Sequence, residues 1–415
     1  MRFIFCIIGV LLYSGLSAQQ MSVLSTDSTY NIVRELQEVV VTAEKRELNP
    51  GDIPTALTVI TPRSIPGENN PDLRNISGIV PNFYMQEGGL KLSTPLYIRG
   101  IGTVSGTPPV GLYVDGVPVF DKNAFVFDLY DIRQIEVLRG PQTTLYGRNS
   151  INGLININTN PPSDVFAAQV KIGYSSYRSQ NYNLVLNLPW KRLYNKLSFS
   201  YNKSEGYFKN HYEQDRKSNP SDSYNIRYQG NVFTKNNWKI GFGINFNHSF
   251  DGGYAYAAID SLKVHRYTVN YNIPSSYKRD LLSSCLNLKK KWQRLAFNTV
   301  TSYSRTQDRQ MLDADFTYLD VFDNGKKSRQ NLLTQEFNIQ SNENRHVDWT
   351  AGAFGFYKDL TNRYLATFGK DKAYLLPMAL DNAKYHNNRV TWGIAGYGQV
   401  TLKEIWPGMS LTAGL

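Results

Sequence analysis

After Pro162 the chain settles into short segments that alternate apolar and polar residues. Val170, Ile172 and Tyr174 interleave with Lys171, Gly173 and Ser175, and Tyr182, Leu184, Leu186 and Leu188 follow in the same phase. Further segments run through Leu197, Phe199 and Tyr201, then Ile226 and Tyr228, then Ile240, Phe242, Ile244 and Phe246, then Leu295, Phe297 and Tyr303. A period of two predicts β-strands with one apolar face each. Lys171, Arg227, Lys289 and Glu336 all fall on the polar parity. Lipid on the other face requires this, since Arg or Lys there costs about 2 to 4 kcal/mol at the midplane. Gln335 lies on the opposite parity, and Trp349 to Tyr357 reads in either register.

The connections supply a second pattern. Breaks near 189–195, 235–237, 291–293, 342–346 and 403–408 are short, whereas those near 204–224, 249–279, 306–329 and 359–388 are long and polar. Strict alternation of short and long connections is what an up-and-down transmembrane barrel gives, with short turns at one end and long loops at the other. A soluble β-sandwich shares the alternation of residues but not this asymmetry of loops. About eleven strand candidates can be counted, the last being Ser410 to Leu415.

Residues 47–162 have a different character. Val114-Asp115-Gly116-Val117 sets Asp-Gly between apolar arms, the preferred sequence for a two-residue hairpin turn with positive φ at both central positions. Asn152-Gly153 predicts a turn into the alternating strand Leu154 to Thr159, and Pro71 to Val80, halted by Pro81, predicts a short helix. The expectation is a compact α+β domain.

Three stretches of that domain, Ile98-Arg99-Gly100, Val110 to Val119 (VGLYVDGVPV) and Arg139 to Pro162 (RGPQTTLYGRNSINGLININTNPP), resemble the plug domain of TonB-dependent outer-membrane receptors. These are Gram-negative transporters that import iron chelates and a few other scarce nutrients. In the barrel the best local match is Leu333-Thr334-Gln335-Glu336-Phe337. The resemblance implies an α+β plug domain at 47–162 followed by a transmembrane antiparallel β-barrel from 163 to 415. Barrels of ~8 strands are filled by their own side chains and plugged transporters use ~22, so about half of the barrel is expected to be missing from this chain.

Residues 1–18 have Arg2, an apolar stretch from Phe3 to Leu12 and a small-residue exit at Ser17-Ala18, the layout of a secretory signal peptide. Leu16 fits the cleavage site imperfectly. Cys6 lies inside this segment and leaves Cys285 alone in the exported chain, so no intrachain disulfide is expected. The region 36–46 resembles the TonB box, which implies that Glu38, Val39, Val40, Val41, Thr42 and Ala43 bind the TonB energy transducer as an added strand. A β-branched run between polar flanks suits such β-augmentation. The same run would also serve as the first strand of the domain that follows.

The net charge is +11, and the excess of base lies in residues 163–415. It suits steering of an anionic ligand such as a ferric chelate, contacts with lipopolysaccharide phosphates, or the lining of a lumen. The resemblance assigns Arg99 and Arg139 to ion pairs with lumen-facing glutamates, with Glu336 as candidate partner. Ligand contacts are expected at Gln86, Glu87, Lys91, Thr103, Ser105 and Thr107 on the plug and at Tyr212, Arg216, Tyr254 and Tyr256 in the long loops, since aromatic and guanidinium groups grip a chelate's rings and carboxylates.

Catalysis finds little support: the five histidines show no ligand spacing, and no HExxH, GxSxG, CxxC or phosphate-cradling motif occurs. Asp313, Asp315, Asp320 and Asp323 share one loop, but scattered surface acids account for them better than a Ca²⁺ site. The expected role is therefore TonB-dependent import of a ferric siderophore or other iron complex across the outer membrane by a monomer without cofactor, resident metal or nucleic-acid partner. Cobalamin and oligosaccharide receptors of the same family, and a passive porin or adhesin barrel, are the alternatives.

Overall fold

The computed structural model describes residues 40–42, 45–46, 48–65, 72–85, 94–103, 109–121, 129–147, 149–253, 256, 268–342, 346–374 and 381–415. The signal segment and residues 38, 39 and 43 of the expected TonB box lie outside them.

The N-terminal domain contains β1 (Ala56–Ile60), β2 (Phe83–Met85), β3 (Leu96–Ile98), β4 (Ile101–Thr103), β5 (Val110–Val114), β6 (Val117–Val119), β7 (Ile132–Arg139) and β8 (Gly153–Thr159). Five of these form a sheet in the order β1-β7-β8-β5-β6, and β2, β3 and β4 form a smaller one. The Asp115-Gly116 hairpin is present between β5 and β6, with φ of 51° and 81°. Asn152-Gly153 leads into β8 as expected, yet β8 pairs with β5 in parallel and with β7 antiparallel, so this turn closes no hairpin. The helix expected over 71–80 is a 3₁₀ segment, Leu73–Gly78. Asp72 caps it by accepting from the Arg74 amide, and Leu73 and Ile76 point into the core. Ile60, Leu73, Ile76, Leu112, Ile135 and Ile155 make up the centre of that core.

The remaining strands are β9 (Ala167–Ser175), β10 (Ser179–Trp190), β11 (Leu193–Ser204), β12 (Lys209–Asn210), β13 (Arg216–Lys217), β14 (Ser221–Phe233), β15 (Trp238–Gly252), β16 (Thr268–Val269), β17 (Ser276–Lys291), β18 (Leu295–Asp313), β19 (Phe322–Ser341), β20 (Val347–Phe368), β21 (Ala383–Trp406) and β22 (Met409–Gly414). Eleven of them form one sheet with β9 and β22 at its edges, while β12, β13 and β16 knit two long loops together. All neighbours in the large sheet are antiparallel.

This wall is inverted relative to a water-soluble sheet. Asn183, Lys196, Ser200, Arg227, Thr334 and Glu336 are buried, while Ile226, Ile244, Leu333, Phe337, Trp392 and Ile394 are exposed. Trp349 to Tyr357, ambiguous from sequence, takes the register that buries Asp348 and Thr350 and exposes Tyr357. Glycines help to fit rings against the sheet. Gly230, Gly352 and Gly393 each stand directly opposite an aromatic residue, Phe242, Tyr397 and Phe356, whose ring occupies the space a Cβ would need.

The long connections correct the expectation in one respect. Much of 306–329 and of 359–388 is strand: β18 and β19 stay paired as far as Asp313 and Asp323, and β20 and β21 as far as Ala366 and Ala383. These four strands are 19, 20, 22 and 24 residues long. Crossing hydrocarbon takes only ~9–11 residues. Where both faces meet water or protein the side chains lose their apolar parity, but the backbone ladder continues.

Leu333→Arg, on the exposed apolar face, should cost about 2 to 4 kcal/mol in denaturant titrations of the protein refolded into bilayers. A cost under about 0.5 kcal/mol would show that this face does not contact lipid.

Candidate functional site

The polar face of the wall packs against the N-terminal domain through contacts of two kinds. In the first, acids of the domain meet bases of the wall. Asp131 lies 2.6 Å from Lys196 and accepts from Ser198 at 2.7 Å. Asp121 lies 3.4 Å from Arg279, whose Nε also donates to Asp308 at 2.9 Å. The hairpin acid Asp115 accepts from the amide and hydroxyl of Thr159, and Gln229 of the wall donates to the same pair. Phe120 packs edge-on against Phe356 with ring centroids 5.4 Å apart.

In the second kind the polarity is reversed, and the segment between Val40 and Arg46 supplies the bases. Lys45 forms an ion pair with Glu336 of β19 and lies over the rings of Tyr146 and Tyr397, 4.8 and 4.7 Å from their centroids. Tyr397 donates to Glu336 at 2.6 Å and accepts from Asn338 at 3.1 Å. Arg46 lies 3.2 Å from Asp348 and donates to the Ser341 carbonyl at 3.3 Å. Glu336, Ser341 and Asp348 all stand near the short-turn end of the wall, whereas Arg279 stands near the long-loop end.

The same segment is fixed to the domain sheet. Val41 is fully buried and bridges to Leu48 through two backbone hydrogen bonds of 2.9 and 3.0 Å. The Thr42 amide donates to the buried Glu136 carboxylate at 3.0 Å, and Gln134, Asn156 and Asn158 donate to it as well. Gln134 also donates to the Val40 carbonyl. Among the described residues of this run, Val41 makes one isolated bridge, to Leu48, and the domain sheet starts with Ala56–Ile60.

Burial lowers the Lys45 ammonium from its ordinary pKa of 10.5 and outweighs the opposing pull of Glu336. The charge is therefore held against a desolvation penalty that Glu336 only partly offsets. Burial also raises Tyr113 and Tyr146, with Glu336 adding to both, so these phenols stay protonated. Tyr113 spends its proton on the Tyr146 carbonyl.

The expected pairing of Glu336 with Arg99 or Arg139 is not formed. Along β7 the side chains alternate: Glu136 and Leu138 face the Thr42 segment and the wall, and Arg139 falls on the opposite face, where it donates to the Pro81 carbonyl at 3.3 Å. Arg99 takes a left-handed backbone, φ 53°, in the turn between β3 and β4. Among the ligand candidates, Gln86, Glu87, Lys91, Ser105, Thr107 and Tyr254 lie outside the described residues, and Thr103 ends β4. Tyr212 is exposed beside the β12–β13 pair that contains Arg216, and Tyr256 packs on Phe316 at 5.1 Å. Asp313 and Asp315 spend their oxygens on backbone amides of Phe316, Thr317 and Phe322.

Lys45, Arg46, Tyr397, Asp348, Asp131, Lys196, Asp121 and Arg279 were missed in the sequence. Parity alone could have flagged Lys196 and Arg279, because both lie on the inward phase of their strands.

Residues 49–154 match the family described as TonB-dependent Receptor Plug Domain. The pesticin receptor of Yersinia pestis is 36% identical over 107 residues, 25% of this chain and 16% of that protein. The vitamin B12 transporter BtuB of Vibrio vulnificus is 28% identical over 171 residues, 39% of this chain and 27% of that protein. Of solved structures, the ferric yersiniabactin uptake receptor FyuA from Yersinia pestis superposes with a TM-score of 0.68 at 18% identity, covering 84% of this chain and 62% of that one. The ferripyoverdine receptor of Pseudomonas aeruginosa gives 0.73 at 11% identity, covering 91% and 53%. The matched segments thus span 16% to 62% of these relatives, less than two thirds of each.

Lys45→Met should cost about 3 kcal/mol by leaving a buried carboxylate without its cation, and adding Glu336→Gln should recover at least about 1 kcal/mol of that. Denaturation midpoints of the two single variants and the double variant check this, and strict additivity would dissolve the pair. Gly352→Ala puts a Cβ 2.4 Å from the Tyr397 ring and hydroxyl. The displaced ring should speed thiol labelling of Val40→Cys, in a Cys285→Ala background, about tenfold; an unchanged rate would show that Tyr397 does not hold the segment.

Proposed function

Starting from a chain that carries the plug domain of TonB-dependent receptors on the β fold of their outer-membrane barrels, we propose that it imports a ferric siderophore across the outer membrane, energised by the TonB transducer. One observation carries this. The stretch Val40 to Arg46, inside the region that resembles the TonB box, is docked at the short-turn end between domain and wall by Lys45–Glu336, Arg46–Asp348 and Thr42–Glu136. A transducer on the periplasmic side meets that end first. Its strand would add to this segment through main-chain hydrogen bonds, and separating two desolvated ion pairs yields a state whose charges regain water.

Ligand contacts fall to Tyr212, Arg216 and Tyr256 in the long loops, and the sequence assigns further ones to Tyr254 and to Gln86, Glu87, Lys91, Thr103, Ser105 and Thr107 of the plug. Asp121–Arg279–Asp308 joins plug to wall near the long-loop end and offers a contact through which an occupied site can loosen the plug. Ferric siderophores are supported as the cargo by likeness to the ferric yersiniabactin and ferripyoverdine receptors. Cobalamin is the second reading, favoured by the match to BtuB. On either reading the protein transports rather than catalyses.

In an iron-starved strain dependent on this protein, Val40→Pro should abolish uptake of iron-loaded siderophore while leaving its binding at the cell surface unchanged, and collapsing the proton-motive force should do the same to the parent. Uptake that survives both treatments would overturn energised import.

A further inference from the structure

The outward face of the wall carries a row of basic side chains set directly against one another. Lys278 of β17 stands opposite Arg309 of β18, Arg309 opposite Lys327 of β19, Lys327 opposite Arg363 of β20, and Arg363 opposite His386 of β21. No register shift interrupts these pairs, so the row shares the parity of Leu282, Tyr303, Leu333, Tyr357 and Trp392, which form the exposed aromatic and apolar band lower on the same strands. Directly opposed like charges destabilise an antiparallel pair. Three such pairs in succession, with His386 next in the row, call for anions.

Among the described residues nothing supplies them. The described residues form no ion pair with the five, and the two acids beside the row are engaged elsewhere: Asp280 with His248 at 2.6 Å, and Asp308 with Arg279 and Tyr277. Arg329 and Arg305 add further positive charge, and together these side chains border a groove of about 490 Å³.

Height decides what can occupy it. From Phe297, near the Trp238 and Trp292 rings at the short-turn end, to Arg309 is twelve residues along β18. At ~3.4 Å per residue and a tilt of ~40° this is about 31 Å, just beyond an apolar band ~25 Å tall. The row therefore lies at the depth of the headgroups in the outer leaflet.

We propose that Lys278, Arg309, Lys327, Arg363 and His386 form a binding site for the phosphate groups of a phosphorylated glycolipid of the outer leaflet, lipopolysaccharide being the lipid of that kind. Guanidinium groups grip phosphate in two-point contacts, and two or more phosphates on one headgroup can span adjacent strands. The inference rests on the wall's being an outer-membrane barrel.

The test uses the protein purified in detergent and titrated with lipid A bearing both phosphates, with the same lipid dephosphorylated, and with inorganic phosphate alone, binding being followed by native mass spectrometry. Bis-phosphorylated lipid A should bind the parent at least tenfold more tightly than Lys327→Gln/Arg363→Gln. Lys171→Gln/Lys290→Gln, away from the row, should match the parent. Equal binding of the dephosphorylated lipid, saturation by inorganic phosphate at the lipid's concentrations, or unchanged binding in the row variant would each overturn the site. Failure of the parent to insert into liposomes would instead overturn the barrel reading, which separates the two.

Discussion

Strand parity is the constraint from which the rest of this structure follows. Each wall strand commits alternate residues to opposite sides, and here the polar set is buried against a folded domain while the apolar set is left exposed. A one-residue slip in any strand would turn Lys196 or Glu336 outward and Ile226 or Leu333 inward. Ion pairs, ring contacts and the glycines that receive the rings therefore all depend on a single register.

The interface between plug and wall is electrostatically divided. The globular part of the plug presents acids, Asp121 and Asp131, to Arg279 and Lys196 of the wall, whereas the segment ahead of it presents Lys45 and Arg46 to Glu336 and Asp348. Opposite polarity lets one wall bind two parts of the same chain without their competing for partners. Each contact is desolvated, so attraction is largely offset by the loss of water and the net strength is modest. An interface of this kind excludes water and sets geometry, yet can be separated by a pull on one end.

Much of this was legible from the residues. The Asp115-Gly116 hairpin, the domain ahead of the wall, the count of strands and the alternation of short and long connections all appear in the chain order. Long polar stretches misled: 306–329 and 359–388 read as loops because their side chains are polar on both faces, although backbone pairing runs on through them. Arg139 misled as well. It has the right charge for a wall carboxylate, but its position along β7 sends it to the Pro81 side.

The sequence by itself determined which face is polar in most strands, where the short turns fall and which segment precedes the plug, because these follow from local alternation, turn chemistry and composition. Tertiary structure alone decided that Glu336 meets Lys45, 291 residues earlier, and that a row of basic residues lines up across five strands. Partner choice between distant segments is set by how strands stagger and how two bodies pack, and no local signal encodes either. A charged residue announces that it needs a counter-charge, and only the fold says which one stands within reach.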